Sequence, residues 1–199
     1  MNKALILLAG AALVAGCQST VPAPPLSAAM LNPNDPRFAP GFMAQAASGG
    51  QFEIESSQLA LQLSQNAAVR NFANMMIADH SRLSQTLAGA ATAARLTPPA
   101  PVLLPSDQAM IDQLRASGAG PSFDLAYKNA QIAAHRNALQ LMQSYAASGD
   151  VSPLRDAAAQ AIATIQMHLN QAQALPVAAP VQMYAPPPSP PPRGAGERG

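Results

Sequence analysis

The sequence has little of what exported or catalytic proteins commonly rely on. It contains one cysteine, so no disulfide can form within the chain, and its 4% aromatic residues include no tryptophan. Charged residues make up only 11%, and the absence of a basic block argues against nucleic acid as a partner. The chain also lacks a Ser/His/Asp pattern, a glycine-rich phosphate loop and a cofactor signature, so the sequence favours a binding or structural protein over an enzyme.

The N-terminus predicts export and attachment to lipid. Lys3 precedes an apolar run that is too short for a stable membrane span, so residues 1–16 are interpreted as a lipoprotein signal peptide. The residues around Cys17 resemble the bacterial lipobox, which implies acylation of this cysteine, and the alternative is an ordinary signal peptide with a chance cysteine. By resemblance to enterobacterial lipoproteins, Gln18 favours the outer membrane, facing the periplasm, over the inner membrane.

The rest of the chain divides by composition. Cleavage would remove Lys3 and lower Lys+Arg from 11 to 10 against 10 Asp+Glu, leaving the mature chain formally neutral. Residues 17–37 are predicted to be a proline-rich tether from lipidated Cys17, and residues 176–199 a disordered tail rich in proline and glycine. Residues 38–175 have the size of one ordinary domain.

This domain is rich in alanine, leucine, glutamine and methionine, residues that favour helices. Apolar periodicity and turn signals predict four long helices and one short one, at about 41–64, 66–96, 106–117, 122–148 and 152–175. Asn66, Ser122 and Ser152 are the predicted N-caps. Tight turns near 65 and 150 predict two antiparallel hairpins joined by a long 97–121 crossover. The pattern is an all-α, ferritin-like four-helix bundle.

The three histidines of the chain fall in three different predicted helices. His168 and His80 each interrupt an apolar stripe, and His135 lies at the edge of another. An unpaired buried polar group costs on the order of 1–3 kcal/mol, so inward-facing imidazoles need partners. The spacing therefore indicates that the three meet, either around a metal ion or in a hydrogen-bond network.

A carboxylate completes the predicted site. Glu55 shares a face of the first helix with Phe52, Leu59 and Leu63, whereas Glu53 points about 160° away from Glu55. Counting residues from the two turns puts one carboxylate and three imidazoles at similar heights in the bundle. The predicted metal ligands are Glu55, His80, His135 and His168, a set suited to Zn, Cu, Fe or Mn. Neighbouring methionines would suit copper, although methionines more often fill a core: Met75, Met76, Met142 and Met167.

Several motifs resemble the domain-of-unknown-function 4142 family, which consists of exported bacterial proteins with a ferritin-like helical fold. The motifs are residues 48–60, Ala78-Asp79-His80, the segment from Phe123 to His135, and residues 165–169. The resemblance covers about residues 40–175. It implies the fold and an envelope location, and it implies no established activity.

Di-iron proteins of the ferritin-like fold carry two Glu-x-x-His pairs, and this chain has none, which argues against ferroxidase chemistry. Two hypotheses remain. In the first, an envelope protein binds or buffers a metal through interior residues. In the second, a structural or stress-related lipoprotein holds its histidines in a hydrogen-bond network and binds a protein partner through its surface. The sequence leaves the partner and the oligomeric state open.

Overall fold

The computed structural model describes residues 34–178, so the predicted signal peptide, Cys17 and most of the tether and tail lie outside the described residues. The described segment contains five helices and no strand, which confirms the all-α prediction. The helices are α1 (Ala39–Leu63), α2 (Ala67–Ala93), α3 (Pro105–Ala116), α4 (Pro121–Ser148) and α5 (Ser152–Ala174). Within residues 34–178, no helix combines the length and apolar character needed to cross a membrane.

The helix starts agree with the sequence signals in one case and differ in two. Asn66 caps α2 as predicted, because its side chain accepts a hydrogen bond from the Ala68 backbone N–H at 2.9 Å. The predicted caps Ser122 and Ser152 were wrong, since both residues already lie inside their helices and neither helix has a side-chain cap. A proline in the first turn starts each of these helices instead. Gly120 precedes α4 with a φ of 79°, a conformation that glycine adopts without steric cost.

Hydrogen bonds at the helix ends establish the topology. The N–H of Gly120 donates to the carbonyl of Leu63 at 3.0 Å, so α4 begins where α1 ends. The N–H of Ala39 donates to Asp150 Oδ1 at 2.9 Å, so α1 begins where α4 ends. Helices α1 and α4 therefore run antiparallel. Contacts of α1 with α2, α2 with α5, α5 with α4 and α4 with α1 close a four-helix ring. The crossover with α3 returns the chain along the bundle, which confirms the ferritin-like prediction.

We expect Asp150→Ala to lower the free energy of unfolding by about 1–3 kcal/mol. Asp150 Oδ1 also accepts a hydrogen bond from the Tyr145 hydroxyl at 2.8 Å, so the substitution leaves two donors without their acceptor. Urea unfolding measures the change. Asp156→Ala, which removes an exposed acid on α5, is the matched control, and equal effects of the two substitutions would contradict this account.

The core consists of two apolar clusters with polar side chains between them. On α4, Tyr127 belongs to the first cluster and Leu139 to the second. Gln131 and His135, both fully buried, lie between these residues. The same order recurs on α2 around His80. Buried polar groups require hydrogen bonds or a ligand, so this polar layer is the candidate location of a functional site.

Candidate metal centre

The three histidines meet inside the bundle, as their positions on the helices predicted. His80 of α2, His135 of α4 and His168 of α5 have ring centroids 5.3–5.5 Å apart. Their exposed fractions are 3%, 0% and 0%. One ring nitrogen from each lies within 4.8 Å of one from each of the others. Three imidazoles from three helices therefore form a single buried cluster.

One nitrogen of each ring is held by an acceptor oxygen. The pairs are His80 Nδ1 with Glu53 Oε2 at 2.6 Å, His135 Nδ1 with the Gln131 carbonyl at 2.8 Å, and His168 Nε2 with Asp79 Oδ2 at 3.0 Å. Because carbonyl and carboxylate oxygens only accept, each neutral ring carries its proton on the nitrogen that faces the oxygen. The opposite nitrogen of each ring then carries a lone pair.

Those opposite nitrogens are buried without a hydrogen bond. Nε2 of His80, Nε2 of His135 and Nδ1 of His168 have no partner among residues 34–178. Leaving one such group unsatisfied costs about 1–3 kcal/mol, and this cluster has three. A cation bound by these three nitrogens would satisfy their lone pairs.

The structure places Glu53 beside the histidines, rather than the predicted Glu55. Glu53 is 2% exposed, and its Oε1 lies 3.3 Å from Nδ1 of His135. Glu55 is half-buried and accepts a hydrogen bond from the side chain of Gln51 at 2.7 Å. The prediction that Glu55 faces the interior and Glu53 faces away was therefore wrong.

The cause lies in the buried face of α1, which carries small hydroxyl side chains. Ser56 and Ser57 are fully buried, whereas Leu59 is only half-buried. Ser57 shares a hydrogen bond of 2.8 Å with the Tyr127 hydroxyl, and Ser56 accepts one of 2.9 Å from the Gln131 amide. Serines that are satisfied in this way can occupy a core position. Because serine is not apolar, the apolar periodicity of α1 does not include these positions and indicates the wrong face of this helix.

Sequence reasoning assigned no role to Asp79, although it precedes His80 directly. Successive residues on a helix point about 100° apart, so His80 faces the cluster while Asp79 faces α5. The carboxylate of Asp79 contacts His168 and also pairs with Arg82 at 2.6 Å. An acid next to an inward-facing histidine is the signal that could have predicted this contact.

The methionines that would have favoured copper have other roles. Met76 and Met142 are buried members of the two apolar clusters, and Met75 packs against the first. Met167 is 43% exposed, although it directly precedes His168. The methionines therefore act as core or surface residues and supply no argument for copper.

Burial and mutual contact control protonation in the cluster. Burial alone would raise the pKa of Glu53, but attraction to the imidazoles in their protonated form and the hydrogen bond with His80 hold that pKa below its ordinary value. Burial lowers the pKa of His135 and of His168, and the carboxylates beside them offset this only in part. At neutral pH these two rings are therefore uncharged, which is the state that binds metal ions.

We expect the metal-free protein to lose stability as the pH falls below about 6.5, where unfolded histidines take up protons. The folded pKa values of His135 and His168 are lowered, so the unfolded state binds more protons in this range and the free energy of unfolding decreases as pH falls. Urea titrations at about pH 7.5 and about pH 5.5 bracket the window. A His168→Gln variant should show a weaker pH dependence, and equal stability of the parent at both pH values would contradict the assignment.

Comparison with known proteins adds a family to this geometry. No curated protein and no solved structure matches the chain. A family model described as a domain of unknown function, DUF4142, matches residues 21–175. That range covers all five helices and every residue of the histidine cluster, and it confirms the resemblance seen in the sequence motifs. The chain belongs to the DUF4142 family.

Proposed function

We propose that the helical domain binds one transition-metal ion through Nε2 of His80, Nε2 of His135 and Nδ1 of His168. The observation that carries the proposal is that the two nitrogens of each ring have different surroundings. One nitrogen is held by an oxygen acceptor, and the other is buried without a partner among the described residues. A hydrogen-bonded network of histidines would instead pair the remaining nitrogens with one another or with other side chains.

The oxygen acceptors support the ligands in this proposal. Metal-binding histidines usually donate their second N–H to a carboxylate or a backbone carbonyl, which fixes the tautomer and increases the basicity of the ligand. Glu53, Asp79 and the Gln131 carbonyl occupy those positions. Glu53 and Asp79 supply negative charge next to the ligands, although Arg82 offsets part of the charge of Asp79. Glu53 therefore acts next to the ligands, and Glu55 has no part in the site.

The donor set narrows the choice of metal. Imidazole nitrogens suit Zn, Cu, Fe and Ni, whereas Mn and Mg prefer oxygen ligands. Of the four metals that the sequence indicated, Zn, Cu and Fe fit three imidazoles better than Mn does. Three protein ligands leave a fourth position for water or another small ligand. The proposed role is accordingly to hold or buffer a borderline metal ion, without ferroxidase chemistry.

Equilibrium dialysis of chelator-treated protein tests the proposal. We expect about one Zn²⁺ or Cu²⁺ to be retained per chain, and no Mg²⁺ under the same conditions, because hard cations bind three imidazoles poorly. Retention of no metal would leave the histidines as polar core residues of a structural lipoprotein.

We further propose that the chain is anchored to the bacterial envelope through acylated Cys17, at the periplasmic face of the outer membrane. The support comes from the lipobox-like residues before Cys17 and from Gln18 after it. Two or more acyl chains hold a protein on a membrane far more firmly than one does.

Substitution of Cys17 by serine should move the protein from the membrane fraction to the soluble envelope fraction, because serine cannot carry the thioether-linked lipid. Fractionation and metabolic labelling with a fatty acid measure the change. Ser19, two residues further along the chain, offers a control, since Ser19→Ala leaves the thiol intact. Membrane association and labelling that survive in Cys17→Ser would contradict the anchor.

A further inference from the structure

A cavity of about 530 Å³ leads toward the histidine cluster. Residues of all five helices line it, so it penetrates the bundle rather than indenting one face. His80 of the cluster and the adjoining Glu53 are among the residues that line it, and both are at least 97% buried. Exposed residues such as Asn137 and Ser144 lie at its outer edge. The cavity thus runs from solvent to the side chains of Glu53 and His80, whose Oε1 and Nε2 atoms are themselves covered.

The charge of the cavity wall has one sign. Glu53 and Asp107 both line it, and the part of the wall that the structure describes includes no lysine or arginine. Asp107 accepts a hydrogen bond from the hydroxyl of Ser48, which fixes the carboxylate on α3 opposite α1. A cleft that is lined by acids within low-dielectric walls raises the local concentration of cations.

The carboxylate of Glu53 does not use both of its oxygens in hydrogen bonds. Oε1 of Glu53 accepts no hydrogen bond from any residue between 34 and 178, although it is buried against His135 at 3.3 Å. His135 and His168 are completely inaccessible to solvent, so an ion approaching through the cavity meets Glu53 and His80 before the other two rings.

We propose that this cavity is the cation-selective uptake path of the site, along which a divalent ion passes Asp107, contacts Glu53 and is transferred to the three imidazoles. The inference rests on the proposed metal-binding function and adds to it a route and a role for two acids. Water and neutral molecules can also enter a cavity of this size, but its acidic wall specifically favours cations over anions.

Glycine on α1 keeps the route wide and offers a way to close it. Gly49 lines the cavity, and a Cβ atom added there meets no heavy atom within 4 Å. Leucine at position 49 can therefore be introduced without a clash at Cβ, and it strengthens the helix, since glycine is a poor helix former. Gly89 on α2 has equally open surroundings and does not line the cavity, so Gly89→Leu is a matched control.

Stopped-flow mixing of metal-free protein with Zn²⁺ and a zinc-sensitive dye measures uptake, and excess chelator measures release. Gly49→Leu should slow both by on the order of tenfold, because the ion must then wait for a conformational opening. A residue of the path changes the barrier and neither end state, so the dissociation constant should stay unchanged. Gly89→Leu should match the parent in both rates. The smaller substitution Gly49→Ala should match the parent in its affinity for Zn²⁺.

The charge of the path is tested separately. Asp107→Asn preserves an oxygen that can accept from Ser48 but removes the negative charge. It should slow Zn²⁺ uptake several-fold at low ionic strength, with the difference shrinking in high salt. Asp112→Asn removes an exposed acid on the same helix outside the cavity and is the control.

The outcomes separate the two proposals. Failure of the parent protein to bind Zn²⁺ at equilibrium contradicts the proposed function, and with it the uptake path that depends on metal binding. Normal binding together with unchanged uptake and release in Gly49→Leu overturns the path alone. An equal salt-dependent effect of Asp107→Asn and Asp112→Asn would show that net charge of the protein, and not the cavity, controls uptake.

Discussion

We expect Zn²⁺ to raise the melting temperature of the parent protein and to have no such effect on His168→Ala, which is the largest difference we expect from a single substitution. A ligand present at about 100 times its dissociation constant stabilises the folded state by about 2.7 kcal/mol, which corresponds to roughly 5–10 °C for a domain of this size. His168 supplies one of only three proposed ligand nitrogens, and alanine removes it. Melting curves of chelator-treated protein, with and without Zn²⁺, measure the effect.

The comparison with and without metal matters, because His168→Ala also destabilises the metal-free protein. His168 is completely buried, so its loss leaves a cavity and removes one of the two partners of Asp79. Met167→Ala is the matched control, since Met167 precedes His168 on the same helix but is 43% exposed. A Zn²⁺-dependent increase that persists in His168→Ala would remove this residue from the ligand set.

We expect the same substitution at two glutamates of α1 to weaken Zn²⁺ binding at one position and to leave it unchanged at the other. Glu53→Gln keeps the size of the side chain but removes the charge beside His80 and His135. Substitution of such supporting groups usually costs 10–100-fold in metal affinity, so we expect a weakening of about that size in Zn²⁺ binding. Glu55→Gln should leave the affinity unchanged, because Glu55 contacts Gln51 and lies outside the cluster.

Competition with a chelator of known affinity measures both glutamate variants. The paired design removes effects of net charge, since each variant loses one negative charge from the same helix. Equal effects would show that the glutamates act only through the overall field. A larger effect of Glu55→Gln would restore the ligand set predicted from the sequence.

The fold was largely predictable from local signals. Apolar periodicity located all five helices, and the Asn66 cap and the short connections fixed the two hairpins. Predicted and observed helix ends differ by three residues or fewer, most at the end of α2, where Ala93 ends the helix instead of Leu96. The start of α4 was misread because the sequence rule favours serine as a cap, whereas Gly120 and Pro121 supply the turn and the first helical residue.

The histidine cluster was predictable in part. Each histidine interrupts or borders an apolar stripe, so its inward direction follows from the period of the helix. The acidic partner was not predictable in this way, because the interior face of α1 is built from serines whose burial depends on hydrogen bonds to α4. Such contacts between distant residues leave no periodic trace in the sequence of α1. The cavity and its path also depend on how all five helices pack, which no single segment encodes.

Calorimetric titration of chelator-treated protein with Zn²⁺ tests the central claim most directly. The account predicts one ion per chain with a dissociation constant of about 1 μM or tighter. It also predicts that His80→Ala, His135→Ala and His168→Ala each abolish this binding while Met167→Ala preserves it. Binding no tighter than roughly 1 mM, about −4 kcal/mol, or binding that survives all three histidine substitutions, would contradict a metal centre in the core of this bundle.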